Sequence, residues 1–219
     1  MYDFIHGPLI SIAFIVFFLG LIFQIIQFFR LTKKKEWVYP PLQVKREKKS
    51  AGEWVTFCLA SLHGTLWKTD PLTTVMTSVF HVFLILVPIF LLGHNILLDQ
   101  SWGFSLWSLP EAIADILTLI ILICIAFFLA RRLFLSRVRA ITTAYDYLVL
   151  FIASAPFLTG YFAYHQWFHY DTVMTLHILA GEVMLIAIPF TKLGHMLFFF
   201  LYRFLIGSEY SFARGARAW

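Results

Sequence analysis

The chain has 219 residues, of which 60% are apolar, 19% aromatic and only 13% charged, with a formal net charge of +5. A water-soluble domain normally carries about a quarter charged residues, so this composition excludes one and indicates an integral membrane protein. No nucleic-acid partner is expected; the partner that composition implies is the lipid bilayer.

Five stretches approach the roughly 20 apolar residues that a spanning helix needs: about 6–29, 73–98, 109–130, 144–165 and 175–204. The first contains no Asp, Glu, Lys or Arg from Phe4 to Phe29. It lacks a basic leading region and an Ala-x-Ala site, so it reads as a retained helix and not as a signal peptide. Residues 30–72 follow as a loop, basic over 30–52 with Pro40-Pro41 in the middle. Within that loop Glu53–Trp67 is apolar but too short to span, and is expected at the interface or against a partner. The second span, uncharged from Pro71 to Leu98, leads to a short loop (99–108) whose Trp102, Phe104 and Trp107 suit an interfacial aromatic belt. Glu111 and Asp115 open the third span, where acidic residues suit the positive end of a helix dipole. Arg131, Arg132, Arg137 and Arg139 fill the connection to the fourth. A loop around 165–174 carries His165, Trp167, His169 and Asp171, and the fifth span contains Glu182, Lys192 and Arg203. The expectation is all-α: a single membrane domain over 1–219, built as a five-helix transmembrane bundle without internal repeats.

With five spans, all 17 Lys and Arg fall on one side. The positive-inside rule then puts the N-terminus outside and the C-terminus in the cytoplasm, as for a multi-pass protein of a prokaryotic cytoplasmic membrane. Cys58 and Cys124 are far apart and imply no disulfide. There is no Cys-x-x-Cys-His for covalent haem and no cysteine cluster for an iron–sulfur centre.

Four histidines lie inside two of the apolar stretches: His81 and His94 in the second, His177 and His195 in the fifth. Polar groups at membrane depth are costly enough to read as functional. The two helices are antiparallel, so matching depths pairs His81 with His195 toward the cytoplasm and His94 with His177 toward the outer face. At 1.5 Å rise per residue the paired levels are separated by roughly 20–27 Å, the scale of two b-type haems stacked across a bilayer, each needing two axial ligands. Eighteen residues return His177 and His195 to one helix face. His81 and His94 differ by roughly 140° on a straight helix, and Pro88 between them is expected to kink the span and redirect one half. A single bare-metal cage is disfavoured because the two levels are too far apart.

The segment Arg131–Asp146 (RRLFLSRVRAITTAYD), the run Pro189–His195 (PFTKLGH) with a histidine 18 positions earlier, and Phe80–His94 (FHVFLILVPIFLLGH) together resemble the gamma subunit of respiratory nitrate reductase. The resemblance covers most of the chain from about residue 73. It implies five helices holding two haem b groups, with His81 and His195 as axial ligands of the inner haem and His94 and His177 of the outer. It also implies an oxidoreductase component in a respiratory electron-transfer chain, anchoring a soluble partner and exchanging electrons with menaquinone or another quinol. The wider spacing of the second-helix histidines and the long basic first loop look more like the membrane subunits of heterodisulfide-reductase-related, Tmc-type and sulfite-reduction-linked (Dsr-type) complexes. That similarity suggests a cytoplasmic iron–sulfur, heterodisulfide-reductase-like subunit as partner. The chain lacks the lysine that serves quinol binding near the outer haem in nitrate reductase gamma. A periplasmic multihaem cytochrome c is therefore the other candidate for the outer redox partner.

Three further residues are candidates for roles at these centres. Glu182, five residues after His177, is a candidate proton acceptor. Lys192 and Arg131 are candidate partners for haem propionates, with interfacial anchoring or partner docking as the plain alternatives. Asp99, Glu111, Asp115 and Asp171 leave the outer face acidic. The competing reading from another class is a cofactor-free transporter or proton channel that uses the intramembrane histidines and Glu182 as a relay; it would usually show repeats or broken helices.

Overall fold

The structure, a computed structural model, describes residues 5–31, 70–195 and 198. The basic loop beyond Leu31, the Glu53–Trp67 segment with Cys58 and His63, and the tail carrying Arg203, Arg214 and Arg217 lie outside the described residues, as does the side chain of His6.

Among the described residues the fold is helical throughout. A π-helical turn, Ile5–Leu9, leads into α1 (Ile10–Leu31). Then come α2 (Pro71–Phe90), α3 (Leu92–Trp102), α4 (Glu111–Phe134), the short α5 (Ser136–Arg139), α6 (Ala144–Tyr164) and α7 (Tyr170–Phe190). A 3₁₀ turn, Lys192–Gly194, follows. Five of these helices are long and apolar enough to cross a membrane: α1, α2, α4, α6 and α7. Their outward faces carry large apolar side chains such as Ile15, Phe18, Leu19, Phe23, Val82, Ile116, Ile123 and Phe151. A soluble protein does not leave apolar surface of that extent in water. A multi-pass membrane protein accounts for it.

The helices pack in sequence around an open ring: α2 on α4, α4 on α6, α6 on α7 and α7 on α1. The best-buried core lies where α2, α4 and α6 meet, with Phe80, Val87, Ile121, Cys124 and Phe157 in contact, and Phe80 edge-on to Phe128 at 5.3 Å. Among the described residues no extensive packing closes the ring between α2 and α7. Histidine rings bridge that side instead.

Two boundaries depart from expectation, and both matter for the histidines. The second span is not one kinked helix. It ends at Phe90, and Leu91 takes an extended conformation (φ −71°, ψ 131°) before α3 begins. Breaking a helix strands its last carbonyls, and those of Pro88, Ile89, Phe90 and Leu91 find donors here. His94 Nδ1–H donates to the Pro88 carbonyl and the Asn95 amide to those of Ile89 and Leu91, while the Leu109 N–H returns to Phe90. Asn95, only 2% exposed, also accepts the Leu106 N–H through Oδ1. The break, and not a bend at Pro88, removes the 140° phase conflict between His81 and His94.

The fifth span begins at Tyr170, not near 175, and its helix ends at Phe190. Thr191 is extended (φ −123°, ψ −178°), so His195 stands beyond the helix, at the end of the 3₁₀ turn. The same-face argument for His177 and His195 therefore does not apply. Their alignment is a product of the turn.

α1 joins the bundle through α7. A Cβ on Gly20 would come within 2.7 Å of Pro189 Cβ and Cγ, and Gln24 Nε2 donates to the Pro189 carbonyl at 2.8 Å. Gly20→Val is expected to destabilise the protein by about 1–3 kcal/mol, the usual cost of overpacking. The check is its thermal midpoint in detergent by circular dichroism; an unchanged midpoint would mean that this contact carries no packing.

Candidate functional site

The four histidines that the sequence singles out come together as two pairs. The His81 and His195 ring centres lie 5.7 Å apart, with planes at 81°. Those of His94 and His177 lie 6.0 Å apart, with planes at 16°. This is the pairing expected from matched depths.

Each of the four rings is also oriented in the same way. Nδ1 bonds a backbone carbonyl: His81 that of Thr77 (2.7 Å), His94 that of Pro88 (2.8 Å), His177 that of Pro156 (2.9 Å) and His195 that of Lys192 (2.5 Å). A carbonyl only accepts, so Nδ1 is the protonated nitrogen of each neutral ring and Nε2 carries the lone pair. No described residue hydrogen-bonds any of the four Nε2 atoms. A backbone carbonyl on the far nitrogen is the usual outer support of a metal-ligating histidine, since it fixes both tautomer and ring direction.

The spacing has a chemical meaning. With metal–nitrogen bonds of about 2 Å, two imidazoles on opposite sides of one metal hold their ring centres about 6 Å apart. Among the described residues no group of three or more His, Cys, Asp or Glu could hold a bare metal ion. Two ligands per site suit a metal whose other positions are filled by a macrocycle.

The His81–His195 pair opens into a cavity of about 820 Å³, within the range of small-molecule and cofactor sites. Phe80, Phe128, Val149 and Leu150 give it apolar walls, while Arg131, Arg132 and Lys192 bring positive charge to it. The donor set, the apolar walls and the cationic side chains fit a flat, carboxylate-bearing macrocycle.

The cations are not equally available. Arg131 pairs with Asp70 at 2.8 Å, with Arg137 at 3.6 Å from the same oxygen. Lys192 pairs with Asp146 at 2.7 Å, and Asp146 also accepts from the Thr143 N–H at the start of α6. Arg132 bonds the Phe128 carbonyl and makes no ion pair among the described residues. Of the three, Arg132, which the sequence places in the same basic connection as Arg131, is the one without an acidic partner among the described residues.

Asp70 ties the first turn of α2 to the last of α4. The Thr73 backbone N–H, assisted by Arg131, holds its carboxyl below the usual value of 3.8. A lowered folded-state value means a stabilising contribution that is complete above the unfolded value and lost as pH falls through the folded one. Thermal stability should therefore decline on acidification below 3.8, and Asp70→Asn should flatten part of that decline. A scan of melting temperature against pH for both proteins checks this; superimposable acid limbs would refute it.

Glu182 is 4% exposed, and neither carboxyl oxygen has a hydrogen-bond partner among the described residues. Five residues from His177 is about 140° around the helix, whereas seven residues from Pro189 is two turns and nearly the same face. By this spacing Glu182 shares the face of α7 on which Pro189 meets α1, and not the face of His177.

Several positioning residues escaped the sequence reading. An asparagine at membrane depth directly after His94 was signal enough to find Asn95. Gly160 is the floor beneath His177: a Cβ there would come within 2.9 Å of Cε1. His165, assigned from sequence to the loop, caps α6 and bonds Asp115 of α4 at 3.0 Å through Nε2. A partner fifty residues away leaves no local trace in the chain.

A protein of Nitratidesulfovibrio vulgaris strain Hildenborough, described simply as a protein, is 38% identical to this chain over 220 residues, covering 98% of this chain and 96% of its own. No protein-family model matches the chain, and no solved structure does. Identity of that level, running nearly end to end on both chains, shows that this chain belongs to the same family as the Nitratidesulfovibrio vulgaris protein.

Proposed function

We propose that this protein is a dihaem b-type cytochrome, the membrane subunit of a respiratory electron-transfer complex. The observation that carries the reading is the paired geometry: two imidazole pairs near 6 Å, with all four Nδ1 atoms tied to carbonyls and no described residue bonded to any of the four Nε2 atoms. His81 and His195 would hold one haem at the basic end. His94 and His177 would hold the other.

A bound haem supplies a reversible one-electron couple at iron, and the protein tunes it through axial ligands, charge and burial. The chain's own residues supply the rest. The carbonyls of Thr77, Pro88, Pro156 and Lys192 aim each Nε2. Phe80, Phe128 and Leu150 would give the basic-end site apolar walls, which favour the less charged reduced state. Arg132 is the best-placed cation for a propionate, with Arg131 and Lys192 available once their acids release them.

The positive-inside rule supports a cytoplasmic basic end and an outer His94 end. Electrons would then pass between a quinone or periplasmic cytochrome outside and an iron–sulfur subunit docked on the arginines inside. A reduced-minus-oxidised spectrum of the purified protein tests the reading, together with haem extraction, which should give two b-type haems per chain. Lack of a b-type band would sink it. The buried, unpartnered Glu182 favours a second reading, a cofactor-free proton path, which predicts a colourless protein.

A further inference from the structure

The two histidine pairs differ in one respect that their common chemistry hides. The ring planes are nearly crossed at His81–His195 and nearly parallel at His94–His177. We propose that Gly160 is a positioning residue that sets the plane of the His177 ring, and that the two pairs thereby impose different electronic structures on their metal centres. The proposal rests on the dihaem reading above.

The difference lies in the torsion about the metal–nitrogen axis. Two axial imidazoles share that axis, but each ring is free to turn about it. Each ring overlaps one of the two π-type d orbitals of ferric iron. Parallel rings act on the same orbital and split the two. Crossed rings act on one each and leave them nearly degenerate. Parallel pairs therefore give an ordinary rhombic low-spin signal. Crossed pairs give a highly anisotropic one, with its largest g value displaced to low field.

What holds each ring decides which case applies. At the basic end both rings are set by their own segments: His81 by Thr77 one turn back on α2, and His195 by Lys192 within the 3₁₀ turn. Among the described residues neither ring is hydrogen-bonded to a neighbouring helix. At the far end, His94 is held across the helix break by Pro88. His177 is held by another helix altogether. Pro156 accepts from its Nδ1, Thr159 Oγ1 lies 3.3 Å from the same atom, and the ring edge rests on Gly160. All three belong to a single stretch of α6.

Gly160 sits inside a helix, where glycine is the weakest former but proline. It has no positive φ to require it, so its use there asks for a packing reason. An added Cβ would lie 2.9 Å from His177 Cε1 and 3.2 Å from Nδ1. The ring cannot keep its plane beside such a methyl group without α6 or α7 moving.

The test is electron paramagnetic resonance of the oxidised full-length protein in detergent. Wild type should show two low-spin signals, one highly anisotropic and one rhombic. Replacing His81 with alanine should remove the anisotropic signal, and replacing His177 the rhombic one. Gly160→Ala should keep both haems by absorbance and shift only the rhombic signal toward low field. Two signals of one shape, the opposite assignment in the histidine variants, or a G160A spectrum unchanged at the rhombic signal would overturn the proposal. The histidine assignments test the plane difference even where G160A does not fold. A wild-type protein with no b-type band fails at an earlier step, the dihaem reading itself.

Discussion

Replacing His177 with alanine should, on the proposed dihaem reading, remove about half of the b-type absorbance and leave the remainder spectrally unchanged, because one proposed ligand of two would be lost at one centre of two. Replacing His195 should do the same at the other centre. The pairing makes a sharper demand on double variants. His81→Ala with His195→Ala removes both ligands of one centre and should lose no more absorbance than either change alone. His81→Ala with His177→Ala strikes both centres and should abolish the band. Pairing along the chain, His81 with His94 and His177 with His195, predicts full loss in both double variants, because each then strikes both centres. Absorbance per protein, measured by the reduced-minus-oxidised spectrum, separates the two patterns. The prediction follows from ring centres 5.7 and 6.0 Å apart in the observed pairs.

Asn95→Leu should rank among the most destabilising single substitutions at an uncharged position. The asparagine supplies two donors and one acceptor at the helix break, to the carbonyls of Ile89 and Leu91 and from the N–H of Leu106. A buried group left without a partner costs about 1–3 kcal/mol. At least the Ile89 carbonyl and the Leu106 N–H would be orphaned, so a total loss of about 2–5 kcal/mol is expected. The same change frees the segment that aims His94, so absorbance of the His94–His177 centre should fall while the other holds. Asn95→Asp keeps the acceptor for Leu106 but loses both donors, and should lie between the two. Thermal unfolding in detergent with the spectrum recorded on the same samples checks both effects. Loss of stability with both centres intact would confine Asn95 to a structural role.

Much of this architecture is legible in the chain because a bilayer enforces a simple grammar. Runs of apolar residues longer than a membrane is thick must be helices, since no other single segment satisfies its own backbone in hydrocarbon. The five long helices follow from that rule to within a few residues at most boundaries. The pairing of His81 with His195 and of His94 with His177 was also readable, because depth in antiparallel helices follows from position along them.

The helix phase was not readable, and the reasons are local. Pro88 announces a disturbance without saying where the helix stops. The stop falls at Leu91 because Asn95, His94 and the returning loop at Leu106 and Leu109 can take up the released carbonyls there. Likewise, eighteen residues from His177 to His195 promised one face of one helix, but Pro189 has no N–H to continue the ladder and α7 ends one residue later.

Residue type and spacing thus established a membrane-spanning helical chain, its apolar spans and the depth of its four histidines, all of which depend on distance along the chain. Which nitrogen each ring presents, how the two ring planes lie, which cations are already paired and which way Glu182 faces were decided only when the helices packed. Those properties belong to partners brought together from distant segments: Pro156 and Gly160 with His177, Asp70 with Arg131, Asp146 with Lys192, Asp115 with His165. Contacts of that kind have no periodicity to read, because the helix backbone repeats but its neighbours do not.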